Sequence, residues 1–284
     1  MPTITGNTGN AGCLSRRPTP RHSKSRGAGV RNTAMRRISI SVTFQTLLIV
    51  LLLLFSLSVA WGYRPFVSTD AAVADVKEME IEIGYFNLQR DRGKNTFIIP
   101  KAVLNYGLIR NLELVGEFAI EEPSHGPVRL ADPALSLKAI LKEGVLQEKS
   151  GVSFAVEAGP LLPSTSKEEN RWGFEGLGIM SGKLGTLTYH LNFGGGVDRL
   201  QNNPFMLWGV IAELPIVEKL RLVGEINGES VRRNTPDNSA LIAFIWNSPL
   251  SNVSIDAGLR RGISHEAADW MVTTGLTFSF SLHN

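Results

Sequence analysis

LELVGEFAIEE (Leu112–Glu122) and LRLVGEINGES (Leu220–Ser230) are nearly the same pattern, written twice in one chain. In both stretches apolar residues take even positions and most of the ionic residues take odd positions. Successive side chains of a β-strand point to opposite faces, so each stretch predicts a strand with one apolar and one charged face. Which of the two faces meets water decides the class of protein.

The same alternation recurs along the chain after residue 61, and we predict twelve β-strands from it. Ten or fourteen strands remain open as alternatives, because the segments near 142–152 and 173–181 are ambiguous. The twelve predicted strands lie near residues 76–87, 96–108, 112–121, 133–142, 151–160, 173–181, 185–195, 204–216, 220–229, 239–246, 252–261 and 269–282.

Short and long connections alternate between these strands. IRN (109–111) and VEK (217–219) predict three-residue loops, which would place Leu108 opposite Leu112 and Ile216 opposite Leu220. QRDRGKN and EEPSHGPVRLAD are predicted polar excursions at the other end. Short turns at one end and longer loops at the other are typical of a transmembrane antiparallel up-and-down β-barrel, with about twelve strands here and the last closing on the first.

A soluble β-sandwich or lipocalin-like barrel would show the same alternation, with its apolar faces turned inward. The polar faces of this chain are strongly ionic, which favours a polar lumen and an apolar outer surface in lipid. A self-satisfying ladder of ion pairs and an open path are both compatible with such a lumen. The predicted lumen-lining residues are Glu80, Glu82, Lys101, Asn105, Glu113, Glu117, Lys138, Glu157, His190, Asn192, Glu213, Arg221, Glu225, Asp256 and Arg260.

The N-terminal region has the three parts of a secretory signal peptide. A basic start at Met35–Arg37 precedes the apolar run Leu47–Phe55, and small residues then lead to Ala60. We therefore predict a Sec signal over residues 35–60, cleaved after about Ala60; a membrane-anchoring helix is the alternative. Residues 1–34 are expected to be a disordered extension or to precede the true start, and 61–75 an N-terminal segment before a barrel over 76–282.

The overall charge of +3 hides an acidic body. Residues 1–60 hold eight basic and no acidic residues, which leaves 21 basic and 26 acidic residues in the rest of the chain. We therefore expect no nucleic-acid partner. The single cysteine, Cys13, lies before the signal core, so the mature chain has no thiol for a disulfide or a metal.

Several motifs after the leader are similar to those of a known bacterial family. YRPFVSTDAAVADVKEMEIEIGY opens the mature chain, and YGLIRNLELVGE, ADPALSLK, EAGPLLPS and YHLNFGGG follow in order. In this order they resemble an outer-membrane transporter-like family named for the meta pathway of phenol degradation. The resemblance covers roughly Tyr63 to Leu282, and it implies an outer-membrane β-barrel that passes small hydrophobic or aromatic compounds.

Candidate catalytic and metal-binding residues are few. His190 and Asn192 share a polar face, but no serine lies two residues away on the same strand, so we interpret them as a hydrogen-bonding pair in the lumen. His125, His190 and His265 fall in separate segments, without the spacing of a metal site. We predict that the chain is not an enzyme and carries neither a metal nor a cofactor.

The sequence thus predicts an outer-membrane barrel that lets small solutes pass passively, with a field that favours cations or neutral solutes. Its expected partners are outer-membrane lipid, the barrel-assembly machinery during biogenesis and a small solute of unknown identity. Two alternatives remain open: a non-transporting structural or binding barrel in the outer membrane, and a secreted soluble β-barrel that binds a partner.

Overall fold

The computed structural model describes residues 64–166, 169–232, 235–249 and 252–282, which belong to one compact unit. The fold is all-β, as predicted, with twelve strands and one short 3-10 turn at Val145–Gln147 among the described residues. The strands are β1 (Glu78–Asp91), β2 (Lys94–Ile109), β3 (Leu112–Pro123), β4 (Arg129–Lys142), β5 (Ser153–Leu161), β6 (Gly173–Leu184), β7 (Leu187–Val197), β8 (Pro204–Val217), β9 (Leu220–Val231), β10 (Asp237–Asn247), β11 (Val253–Gly262) and β12 (Trp270–Ser281). The predicted signal peptide and the residues before it lie outside the described residues.

The sheet closes on itself as an up-and-down barrel. Each strand pairs antiparallel with its neighbours in sequence, and β1 pairs with β12, where Ile81 lies opposite Phe278. The predicted closure of the last strand on the first is therefore confirmed. A closed sheet leaves no unpaired edge, so every strand finds hydrogen-bond partners on both sides.

The barrel has two different ends. The short-turn end carries Glu78 at the start of β1, Ser281 at the end of β12 and four brief connections, with the longer 143–152 segment as its exception. The long-loop end carries connections of five to eleven residues, with one two-residue turn at 92–93 as its exception. None of the described helical residues forms a segment long and apolar enough to cross a membrane.

The prediction of a polar loop at QRDRGKN was wrong, because the strands continue through it. Gln89 pairs with Thr96 and Asp91 pairs with Lys94, so only Arg92 and Gly93 form the turn. Both residues have positive φ, 46° and 79°. Positive φ at both central positions defines the turn whose twist matches that of paired strands, and glycine adopts it without steric cost.

The two predicted three-residue hairpins are tighter by one residue. Ile109, not Leu108, pairs with Leu112, and Val217, not Ile216, pairs with Leu220. A bulge beside each turn absorbs the extra residue and restores the expected register in the body of each hairpin. The faces of these strands therefore remain as the alternation predicts.

The outer surface of the barrel is apolar and exposed. Ile242 is 58% exposed, Phe244 50% and Phe193 62%. The opposite faces of the strands hold buried polar and charged side chains, including Glu82, Lys138 and Asp256. This distribution is the reverse of a soluble barrel, whose apolar side chains fill the interior.

Candidate functional site: the barrel lumen

All of the predicted lumen-lining residues occupy inward positions of the strand register. Glu82, Glu113, Lys138 and His190 are only 1% exposed, whereas Glu117 is exposed to the lumen. The four side chains with 1% exposure are inaccessible because another segment of the chain covers them. That covering is the stretch of chain that precedes β1.

Residues Arg64–Asp75, which we call the lumen belt, lie inside the barrel. At one end of the belt the guanidinium of Arg64 donates to Asp256 Oδ2 at 3.3 Å and to Thr273 Oγ1 at 2.7 Å. The backbone N–H of Arg64 donates to Glu82 Oε2 at 2.9 Å. Arg64 therefore connects β1, β11 and β12 from within.

The middle of the belt is held by side chains that accept from its backbone. The N–H groups of Val67 and Ser68 donate to the Glu225 carboxylate, with the Ser68 contact at 2.7 Å. Thr69 exchanges two hydrogen bonds with the Asn192 amide, at 3.0 and 2.7 Å. The amide of Asn192 thus pairs with the belt as a neighbouring strand would, and the belt crosses β9 and β7.

The last part of the belt reaches the short-turn end. The Ala71 N–H donates to Ser181 Oγ at 2.9 Å, and the Ala74 N–H donates to Glu113 Oε2 at 2.7 Å. Just after the belt, Lys77 donates its N–H to the Gly107 carbonyl at 2.8 Å. From Arg64 to Lys77 the chain therefore passes around the inner wall while it descends from mid-barrel towards the short-turn end.

The belt explains why the lumen-facing acids outnumber the bases. Backbone N–H groups need acceptors when they are taken out of water, and inward carboxylates supply them. Residues 61–75 were predicted only as an N-terminal segment before the barrel, because an irregular stretch has no period that would reveal its place. The surplus of carboxylates over cations on the predicted inner face was the available signal.

Inward-facing glycines make room for the belt. A Cβ on Gly275 would lie 2.0 Å from Arg64 Nε, and one on Gly209 would lie 1.8 Å from Ser68 Oγ. On Gly107 it would meet the Asp75 carbonyl oxygen at 1.9 Å. Gly84 pairs directly with Gly275 across the seam, so the Arg64 side chain occupies a slot that no other residue type would leave.

Most buried charges of the lumen are paired. Lys138 Nζ lies 3.6 Å from Glu113 and 3.9 Å from Asp70 of the belt. Arg260 donates to Glu225, and Arg221 donates to Glu213 at 2.5 Å. Removing one partner from such a pair leaves an uncompensated charge, so these contacts fix the position of the wall and the belt together.

Three parts of the inner face are apolar, contrary to the predicted ionic lining, and the largest lies on β9 and β10. Val223, Leu241, Ala243 and Ile245 form a buried cluster on β9 and β10, and Phe66 of the belt packs against it. β10 is apolar on both faces, so its alternation is too weak for the sequence to assign an inner side. The lumen thus has an apolar strip beside its ionic groups.

A serine does face His190, but from the neighbouring strand. Ser181 Oγ lies 2.8 Å from His190 Nδ1, and His190 Nε2 lies 3.0 Å from Glu213 Oε1. Ser181 is fully buried and accepts the Ala71 N–H, so its oxygen is closed to an incoming substrate. The three side chains form a polar chain under the belt, and they offer no exposed nucleophile for acyl transfer.

The half of the lumen nearer the long loops is acidic. Glu117, Glu157, Glu175 and Glu229 project inward from β3, β5, β6 and β9, and Glu117 and Glu229 are exposed to solvent. In the loop above them, burial raises the pKa of the Glu169 carboxyl; nearby Asp132 adds to this effect and Arg199 opposes it. No cluster with the geometry of a metal site occurs among the described residues.

No protein-family model and no curated relative matches the chain, but many solved structures resemble this barrel, among them an outer membrane channel and a porin. An outer membrane channel from Pseudomonas putida F1 has a TM-score of 0.54 at 9% identity, covering 76% of this chain and 100% of that one. The NanC porin has a TM-score of 0.51 at 7% identity, covering 70% of this chain and 98% of that one. At these identities the likeness establishes the fold, which is that of the outer-membrane β-barrels.

Proposed function

We propose that this chain is an outer-membrane β-barrel through which small solutes pass passively. The observation that carries the proposal is the distribution of side chains on a closed barrel, with exposed apolar residues outside and ionic residues inside. An aqueous surface would not retain Ile242, Phe244 and Phe193 in exposed positions, whereas lipid would. Outer-membrane lipid is then the solvent of the outer face, and the assembly machinery of such barrels acts during biogenesis.

Two features of the lumen constrain the passage of solutes. The lumen belt occupies the half nearer the short turns, so solutes there pass along the belt or displace it. The acidic half nearer the long loops, with Glu117 and Glu229 exposed, favours cations and neutral solutes over anions. The channels named among the similar structures make passive conduction the natural function for this architecture.

Two observations bear on the class of solute. The sequence resembles the outer-membrane family named for the meta pathway of phenol degradation, which implies small hydrophobic or aromatic compounds. The apolar strip formed by Val223, Leu241, Ala243 and Ile245 is covered by Phe66 of the belt, so such compounds would reach it only where the belt is displaced. Both observations support a solute with an apolar part.

Conductance of the purified mature chain in planar bilayers tests the proposal. We expect small, cation-preferring channel events, and larger events from a variant that lacks residues 64–75. Arg110→Gln, in an exposed turn, is the matched control and should conduct as the unmodified chain does. Absence of events from both the full chain and the belt deletion, with both folded by heat-modifiable gel migration, would favour the alternative of a non-transporting structural barrel.

A further inference from the structure

The outer face of the three strands around the seam carries only two ionic side chains. Every other outward position of β1, β11 and β12 is apolar, aromatic or threonine. The two exceptions are Arg90, near the end of β1, and Arg261, near the end of β11. Both are exposed, and both stand at the last outward position before the long-loop end.

Trp270 lies between the two arginines. In the strand register Arg90 is directly opposite Trp270 on β12, and Trp270 is directly opposite Arg261 on β11. Adjacent strands are about 4.8 Å apart, so the Cα atoms of the arginines are separated by roughly 10 Å, with an indole between them. Side chains as long as those of arginine can therefore converge on one group in front of the indole.

Neither arginine is neutralised by a carboxylate in the described part of the chain. Among the acids at this end of the strands, Asp91 takes an inward position opposite Lys94 and Glu266 binds Arg92 at 2.8 Å. Asp269, the exposed residue before Trp270, acts on Arg92 and forms no ion pair with either arginine among the described residues. The next outward positions towards the short-turn end are all apolar. They are Leu88, Val272 and Leu259, of which Leu259 is 49% exposed. Two unpaired cations thus stand at the upper border of the lipid-facing surface.

We propose that Arg90, Trp270 and Arg261 form a binding site for the phosphate of a lipid headgroup in the leaflet that surrounds the long-loop end. This inference rests on the proposed membrane location. A guanidinium binds phosphate oxygens through two parallel N–H donors and is less strongly hydrated than an ammonium group. An indole prefers the boundary between hydrocarbon and headgroups, which places the phosphate at the height of the arginines.

Lipid binding in neutral detergent, counted by native mass spectrometry, tests the site. The full mature chain is titrated with diphosphorylated lipid A, with the same lipid after phosphatase treatment, and with inorganic phosphate alone. We expect the phosphorylated lipid to bind at least tenfold more tightly than the dephosphorylated one. The Arg90→Gln/Arg261→Gln variant should lose this preference. Lys142→Gln, which removes an outer-face charge at the opposite end, should keep it.

The possible results distinguish a failure of the lipid-binding site from a failure of the proposed membrane location. A double variant that retains the full preference overturns the site, and inorganic phosphate that displaces the lipid at equal concentration overturns the assignment to a lipid. Heat-modifiable gel migration after insertion into phospholipid vesicles shows whether each variant forms the barrel. A chain that never inserts overturns the membrane location itself. Conductance should be the same in the double variant, because neither arginine faces the lumen.

Discussion

Arg64 Nε lies 3.3 Å from Asp256 Oδ2, although 192 residues separate the two along the chain. Asp256 belongs to β11, and the backbone of Arg64 is bound by Glu82 on β1. Both partners of the ion pair are nearly inaccessible to solvent, at 8% and 3% side-chain exposure. The two contacts together therefore fix the lumen belt to both sides of the barrel seam.

Breaking this buried pair should destabilise the barrel. We expect Arg64→Met to cost about 3–5 kcal/mol, because Asp256 is left without its cation. The double variant Arg64→Met/Asp256→Asn should lose less stability than the two single variants lose together. We expect this difference, the coupling energy of the pair, to be roughly 0.5–3 kcal/mol. Urea unfolding from vesicles measures all three variants. Strict additivity of the two single changes would show that the pair is not coupled.

Filling a glycine slot should displace the belt. A Cβ at Gly209 would lie 1.8 Å from Ser68 Oγ, so we expect Gly209→Ala to cost about 1–3 kcal/mol and to increase conductance. Ser68→Gly in the same chain should restore both properties, because it removes the clashing atoms. Gly178→Ala is the control, since its new Cβ would meet nothing closer than 3.6 Å. If Gly209→Ala behaves like Gly178→Ala, Ser68 does not lie against Gly209.

Neutralising acids in the half of the lumen nearer the long loops should weaken the preference for cations. We expect Glu117→Gln/Glu229→Gln to move the reversal potential in a salt gradient towards zero, because exposed carboxylates in a pore attract cations. Glu122→Gln removes an exposed carboxylate from the outward face of β3 and should leave the reversal potential unchanged. An equal shift from both variants would contradict the assignment of faces.

A charge in the middle of the outer face should oppose membrane insertion. Ile242 is 58% exposed near the centre of β10, and Ile242→Arg should cost about 2–4 kcal/mol of folding free energy in vesicles. Ser230→Arg, close to the long-loop end of β9, should cost about 0–1 kcal/mol. Folding yield against vesicle concentration measures both. A soluble barrel would tolerate Ile242→Arg without any dependence on lipid.

Alternation predicted the strands and the faces of this barrel because both depend on neighbouring residues. A period of two places Glu113 and Glu117 on one side of β3 whatever the rest of the chain does. The order of strands then follows from short connections, which join neighbours in space. Turn lengths were wrong by one residue, because bulges beside the turns leave no trace in the hydrophobic pattern.

The interior of the barrel depended on contacts that no local pattern encodes. The position of the belt depends on distant partners such as Glu225. Its carboxylate accepts hydrogen bonds from backbone N–H groups that lie 157 and 158 residues earlier in the chain. Ser181 meets His190 only because β6 and β7 pair in one particular register. β10 carries apolar residues on both faces, so its inner strip became visible only once the barrel had closed around it.

Arg64 donates to groups on both sides of the junction where the first and last strands meet. The first and last strands of the barrel thus share one cation in the lumen. The lining is covalently continuous with the first strand and is held by groups on both sides of that junction. Seating of the lining should therefore strengthen the closure of the cylinder.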